Sequence, residues 1–285
     1  MEPNTAYSHG ECEAWKDPAH CSGGIARMKA FLDQERAVHP SAIVLNAGDD
    51  NHGTVWDGQV LGNWDLEFAR SADKTAEYVK ALTHPVLGAC NIDFHGHWLG
   101  GLVKRYTTKQ VDGLKVCIFG LVTWQTHTER CPPLQIINPP YESGRKCVAD
   151  MKKDGCQVII LLSHLGYSAD LQAAKLIPDV DLIVGGHSHS YLSPDGKAPV
   201  FDKDGDQRDY IWGPYPTWVQ SDVQQGRKVP VVQAGWGSRY MGRIRLTLGS
   251  DGHLISAEGE PVLLGGEGSA HSTGQDADTL RRVQK

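Results

Sequence analysis

Three short stretches of this chain place metal-ligating side chains directly after apolar runs. The first is Asn46-Ala47-Gly48-Asp49, the second Ser163-His164-Leu165-Gly166 and the third Gly185-Gly186-His187-Ser188-His189. The run from Val180 to Val184 reads as a strand buried on both faces, halted by two glycines before the histidine pair. In an extended or turn segment, residues two apart project to the same side, so both imidazoles could face one point. A single His-x-His also arises in ordinary loops, and a histidine can be a hydrogen-bonded core residue. Three such strand ends together are more informative, because ligands of one site in an α/β protein usually come from several strands at the carboxyl edge of a sheet. A carboxylate with three imidazoles suits zinc, manganese or iron better than calcium or magnesium.

The elements that must carry these residues alternate between helix and strand, which implies an α/β core followed by a strand-rich portion. A helical pattern runs from Gly23 and Gly24 through Ala37, with Ile25, Met28 and Leu32 on one face, and Pro40 ends it. Ala42 to Leu45 reads as a short strand leading into Asp49. Residues 66–82 have helical spacing, and an extended segment runs from Pro85 through Ile92. Residues 103–111 and 116–123 form an expected hairpin turning at Asp112-Gly113. Helices are expected over 141–153 and 169–177, with a strand over Val158 to Leu162 between them. Strands at Val229 to Gln233 and Gly242 to Leu248 follow. A Gly/Ser-rich linker spans 264–276, and the last ten residues read as the start of a helix.

The totals exclude some partners. With 28 basic and 34 acidic side chains the net charge is −6, and no basic run could neutralise nucleic-acid phosphates. No apolar stretch approaches the ~20 residues of a membrane helix. Of the seven cysteines, Cys90 and Cys117 sit in apolar runs and read as small core residues. Cys12 and Cys21 flank a polar loop and could pair in an oxidising compartment. The polar N-terminal residues contain no basic region followed by an apolar one, so no targeting signal is read there; the chain as it stands would be cytoplasmic, but the sequence does not decide the compartment.

Taken in order, Gly23-Gly24-Ile25-Ala26-Arg27, Gly48-Asp49-Asp50-Asn51-His52-Gly53-Thr54, Asn91-Ile92-Asp93, Ser163-His164-Leu165-Gly166, Gly185-Gly186-His187-Ser188-His189 and Lys228-Val229-Pro230-Val231-Val232-Gln233-Ala234, with Arg239-Tyr240-Met241-Gly242 behind it, resemble the catalytic domain of 5′-nucleotidases, which are calcineurin-like metallophosphoesterases. The resemblance covers about residues 20–260. It implies a four-layer α/β/β/α sandwich, here incomplete at the N-terminus, that holds two divalent metals such as zinc or manganese. It also implies hydrolysis of nucleoside 5′-monophosphates by metal-activated water. By resemblance Asp49 bridges the two metals, His164 and His187 are ligands of one, and His189 is a ligand of the other. Residues 1–263 would form the metallophosphoesterase domain, and 264–285 a linker and the start of a nucleotide-binding domain. Members of the family are often extracellular or periplasmic.

The chain departs from the family pattern in two places. A strand ending in Asp-x-His is expected ahead of Met1, and His9 and His20 are loop residues that do not replace it. The motif Gly-Asn-His-Glu is also expected, and the chain has Leu61-Gly62-Asn63-Trp64-Asp65. In one alignment Asn63 is a metal ligand and Trp64 stands where the catalytic histidine belongs; in the other the whole motif is deleted. An indole only donates and cannot carry a proton or bind a metal, so no intact catalytic residue is expected on either alignment and one metal site at most. The expectation is therefore an impaired phosphohydrolase; the alternatives are a non-catalytic metal- or nucleotide-binding relative and an incomplete gene product. His95 and His97 read as a solvated loop, His84 as packing at a strand entrance, and His52 as able to reach a bound phosphate. Trp212, Tyr215 and Trp218 read as packing on the strand-rich portion.

Overall fold

The computed structural model describes residues 4–5, 21–48, 61–63, 77, 79–96, 98–124, 136–199 and 210–283. The expected helix over 66–82 lies mostly outside them, as do Asp49, His52, Trp64 and His97. The N-terminal helix is α1 (Ile25–Val38). Next come the short strands β1 (Leu45–Asn46), β2 (Leu61–Asn63), β3 (Val86–Leu87) and β4 (Val103–Lys104), which form one parallel sheet in that order.

A larger sheet follows from β5 (Tyr106–Val111), β6 (Leu114–Val122), helix α2 (Pro140–Lys153), β7 (Val158–His164), helix α3 (Tyr167–Leu176), β8 (Leu182–Gly185), β9 (Thr217–Gln220) and β10 (Lys228–Val232). Its strand order is β9-β10-β8-β7-β6-β5. The inner strands β6, β7, β8 and β10 run parallel, and both edges are antiparallel. Every residue of β7 is buried, as expected of a parallel strand covered on both faces. The β5–β6 hairpin turns through Asp112 and Gly113, both at positive φ.

Helices α2 and α3 bury Cys147, Val148, Met151, Ala173 and Ala174 in the core of the larger sheet. The smaller sheet lies against this core and is fastened there by Asn91. Its side-chain amide donates to Val122 O at 2.8 Å, and its Oδ1 accepts from Val122 N at 3.0 Å. The hairpin β11 (Tyr240–Leu248) and β12 (Leu254–Leu263) packs Ile244, Leu246 and Leu248 against the larger sheet's core. Together the two sheets and their helices make the α/β sandwich expected from the motifs.

Two expectations change in detail. Cys90 and Cys117 are not simple core residues: disulfides join Cys90 to Cys147 and Cys117 to Cys156, with Cα separations of 6.0 and 5.8 Å. Both separations fall in the usual disulfide range. Cys21 is disulfide-bonded as well. Of the three aromatics expected to pack, Tyr215 is buried, but Trp212 and Trp218 are 54% and 41% exposed, because alternate residues of their edge strands face solvent. Residues 264–276 fold back on the N-terminal region: Gly266 N donates to Cys21 O at 2.7 Å and Asp276 N to Ala26 O at 3.0 Å. The terminal helix α4 (Ala277–Val283) then lies on α1. Among the described residues, no helix is long and apolar enough to cross a membrane.

Candidate metal centre

The carboxyl ends of the parallel strands line up, and this alignment builds the site. His164 pairs in register with Val122, and Ser163 with Gly185, so the end of β7 lies beside the turn that carries His187 and His189. From the smaller sheet, β1 runs into Ala47 and Gly48, and Asn63 closes β2 beside Leu87 of β3.

His164 is buried, and its Nδ1 lies 2.6 Å from Ala47 O. A carbonyl oxygen can only accept, so Nδ1 carries the proton and Nε2 is left as the basic nitrogen. A hydrogen bond of this kind commonly orients a histidine that binds metal through its other nitrogen. Gly48 has a φ of 103°, and a Cβ there would lie 2.6 Å from His164 Nδ1. The close approach of the two sheets at this point therefore requires glycine.

His187 meets His164 edge to face, with ring centroids 5.1 Å apart. His189 turns elsewhere and stacks on Trp236 at 5.8 Å and 13°. Both residues have left-handed backbone, with φ of 69° and 54°, so the two-residue alternation of an extended chain does not hold here. Such geometry is uncommon outside glycine, histidine being among the residues that tolerate it better, and it clusters at functional sites. Among the described residues, no three His, Cys, Asp or Glu side chains gather as a metal-binding group, and Asp49 is not one of those residues. The donors that are described fit a borderline divalent ion: two neighbouring imidazoles, one of them with its tautomer set by a backbone carbonyl.

Two buried side chains not singled out in the sequence as site residues brace this turn. Gln233, just past β10, donates through Nε2 to Gly186 O at 2.6 Å and accepts at Oε1 from Ser190 N and from Ser188 Oγ. Asp170 in α3 accepts from Ser163 Oγ, while its buried Oδ2 has no hydrogen-bond partner among the described residues. A Cβ at Gly185 would come within 2.1 Å of that oxygen. Gly185 is thus explained by the Asp170 side chain of α3, and Gly186 by Ala47, whose O and Cβ would lie 2.9 and 3.0 Å from a Cβ there; no local pattern reveals either contact.

Burial pushes the Asp170 carboxyl up to about 8, against the lowering influence of the Ser163 hydroxyl and of His164. The folded chain therefore holds a proton that the unfolded chain releases. Stability from this group should fall as pH rises through the interval from about 4 to about 8. In Asp170→Asn, which keeps the shape without the titration, urea midpoints measured across that interval should lose this slope. An unchanged slope would show that Asp170 is ionised in the native chain.

The profile of calcineurin-like phosphoesterases matches residues 9–191, a span that contains Asp49, Asn63, His164, His187 and His189. The chain belongs to the calcineurin-like phosphoesterase family. It is 30% identical to a snake venom 5′-nucleotidase of Crotalus adamanteus over 99% of its own length and 48% of that protein. It is also 30% identical to an apyrase of Aedes aegypti, over 92% of this chain and 49% of that one. Among solved structures, a 5′-nucleotidase precursor of Thermus thermophilus superposes with a TM-score of 0.79 at 29% identity, covering 93% of this chain and 52% of that one. The chain thus spans about half the length of these relatives. Ala47 O, just past β1 of the smaller sheet, reaches His164 at the carboxyl end of β7, so the two sheets meet at this histidine.

Proposed function

We propose that the chain is a metal-dependent phosphohydrolase of the 5′-nucleotidase type, acting on nucleoside 5′-monophosphates with impaired efficiency. The observation that carries this reading is the His164–His187 pair, braced by Ala47 O at the seam of the two sheets, in a chain whose relatives include proteins named 5′-nucleotidase and apyrase. His164 and His187, with Asn63 at the end of β2 and with Asp49, which follows Gly48 in the sequence, would hold one divalent ion such as zinc or manganese, and His189 would belong to a second position. When bound, such an ion supplies a Lewis acid for the phosphoryl oxygens and lowers the pKa of water. The chain's own residues orient the imidazoles, and the hydrogen bond from Nδ1 of His164 to Ala47 O leaves Nε2 as the nitrogen that would face the ion.

The impairment rests on Trp64, which stands where the family motif has its catalytic histidine. Loss of one group that stabilises a transition state commonly costs ~100-fold or more. The same residue favours the second reading, a non-catalytic metal- or nucleotide-binding relative. We also assign the chain to an oxidising compartment, because two disulfides tie its core together.

The test is phosphate release from AMP with added manganese or zinc, alongside the thermal shift those ions produce. A slow, metal-dependent release is expected, with both release and shift lost in His164→Ala. A metal-dependent shift with no release would leave the binding reading standing and overturn the enzymatic one. Neither shift nor release would overturn both.

A further inference from the structure

The turn after β8 and the loop after β10 run side by side. Gly235 N donates to Ser190 O at 3.0 Å, and Tyr191 forms an antiparallel bridge with Ala234. This register brings Trp236 to His189, whose ring planes lie 13° apart with centroids separated by 5.8 Å. The guanidinium carbon of Arg239 lies 5.0 Å from the indole centroid and 6.0 Å from the ring of Tyr240. Tyr240 in turn meets Tyr191 at 4.8 Å. The series of contacts therefore leaves the 189–191 segment at His189 and returns to it at Tyr191.

The indole is held independently of the imidazole. Arg239 is buried, and a guanidinium kept from water is drawn strongly to an aromatic face. Arg239 N also donates to Trp236 O at 3.3 Å, which closes the loop on itself. Filling a core is the ordinary use of so large a ring, yet Trp236 is only half-buried and lies flat against a histidine. His189 has a different need. The bonds of Gln233 to Gly186 O and Ser190 N fix the main chain on either side of it, but the direction of the imidazole is set by its own rotamer. A metal-binding histidine is commonly oriented by a second group, as Ala47 O orients His164. For His189 a flat aromatic face does the same work.

We propose that Trp236 is a positioning residue for His189. Anchored by Arg239, its indole holds the imidazole in one rotamer, turned from the His164–His187 pair, and so keeps it out of the shell of an ion bound by that pair. The consequence for the ion rests on the phosphohydrolase reading; the rotamer is a property of the metal-free chain.

The test uses the full chain with labelled histidines, and zinc as the probe. In the metal-free wild type, NMR couplings that report χ1 of His189 should show a single rotamer. Trp236→Ala should average them over several, while Trp236→Phe, which keeps an aromatic face, should restore one. Trp212→Ala, which removes an exposed indole elsewhere, should change nothing. His187 should keep its couplings in every variant, which a general loosening of the turn would not allow. On titration, the first equivalent of zinc should shift the signals of His164 and His187 in the wild type, and should reach His189 only in Trp236→Ala. A single His189 rotamer in Trp236→Ala, or a wild-type His189 shifted by the first equivalent, would overturn the proposal. So would averaging of His187 together with His189, which would leave Trp236 a structural role alone. Zinc that shifts none of the three histidines would sink the metal-dependent reading, and the rotamer comparison would then decide the proposal by itself.

Discussion

Reduction of the disulfides is expected to bring the chain close to unfolding at ambient temperature. Cys90–Cys147 closes a separation of 57 residues and Cys117–Cys156 one of 39. Loop entropy alone assigns each about 4 kcal/mol, and measured values usually fall between about 2 and 4. A domain has a total stability of only ~5–15 kcal/mol, so losing both links removes a large share of it. The order of reduction should follow access. Cys117 and Cys156 are 0% and 3% exposed, while Cys90 is only partly buried, so Cys90–Cys147 should open first. Urea midpoints with and without a thiol reductant, with peptide mapping to show which pair has opened, check this. An unchanged midpoint in a chain shown to be fully reduced would refute it.

Asn91→Ala should be nearly as damaging, by a different route. Asn91 is fully buried and holds both the N–H and the C=O of Val122, with a longer bond to Asn138 O at 3.4 Å. Alanine removes these partners and leaves the buried N–H and C=O of Val122 unsatisfied. An unsatisfied buried group costs ~1–3 kcal/mol, so a loss of roughly 3–5 kcal/mol is expected. The damage should reach the candidate metal centre, because Thr123 N, next to Val122, donates to His164 O at 3.1 Å. A lowered urea midpoint with an unchanged slope is the expected signature. A loss below about 1 kcal/mol would mean that the sheets are held together by apolar packing and not by this bridge.

The sequence was most legible where a signal is local and long. The seven residues of β7 are apolar almost throughout, and Asp112-Gly113 between two strand patterns is a turn by backbone preference alone. The site histidines were visible because each follows an apolar run. The two-residue strands Leu45–Asn46 and Val86–Leu87 carry no periodicity of their own, and their pairing is decided by the surface beneath them. Disulfide partners 39 and 57 residues apart leave no local trace. Gln233 and Asp170 look like ordinary polar residues at element ends. Only the folded chain brings them beneath Gly185 and Gly186.

The two sheets differ in how firmly they are built. His164 closes a seven-residue buried strand, and His187 follows another strand of the same sheet. Ala47, Gly48 and Asn63 ride on strands of two or three residues. Stability is rarely uniform across such a molecule, and the weaker sheet should open first. The candidate centre therefore lies on a seam between a rigid jaw and a compliant one. Any ligand gripping both jaws acts as a latch, raising the cost of local opening by an amount that grows with its concentration. Occupancy of the centre could then be read from how slowly a protease cuts the compliant side, without any measurement of turnover.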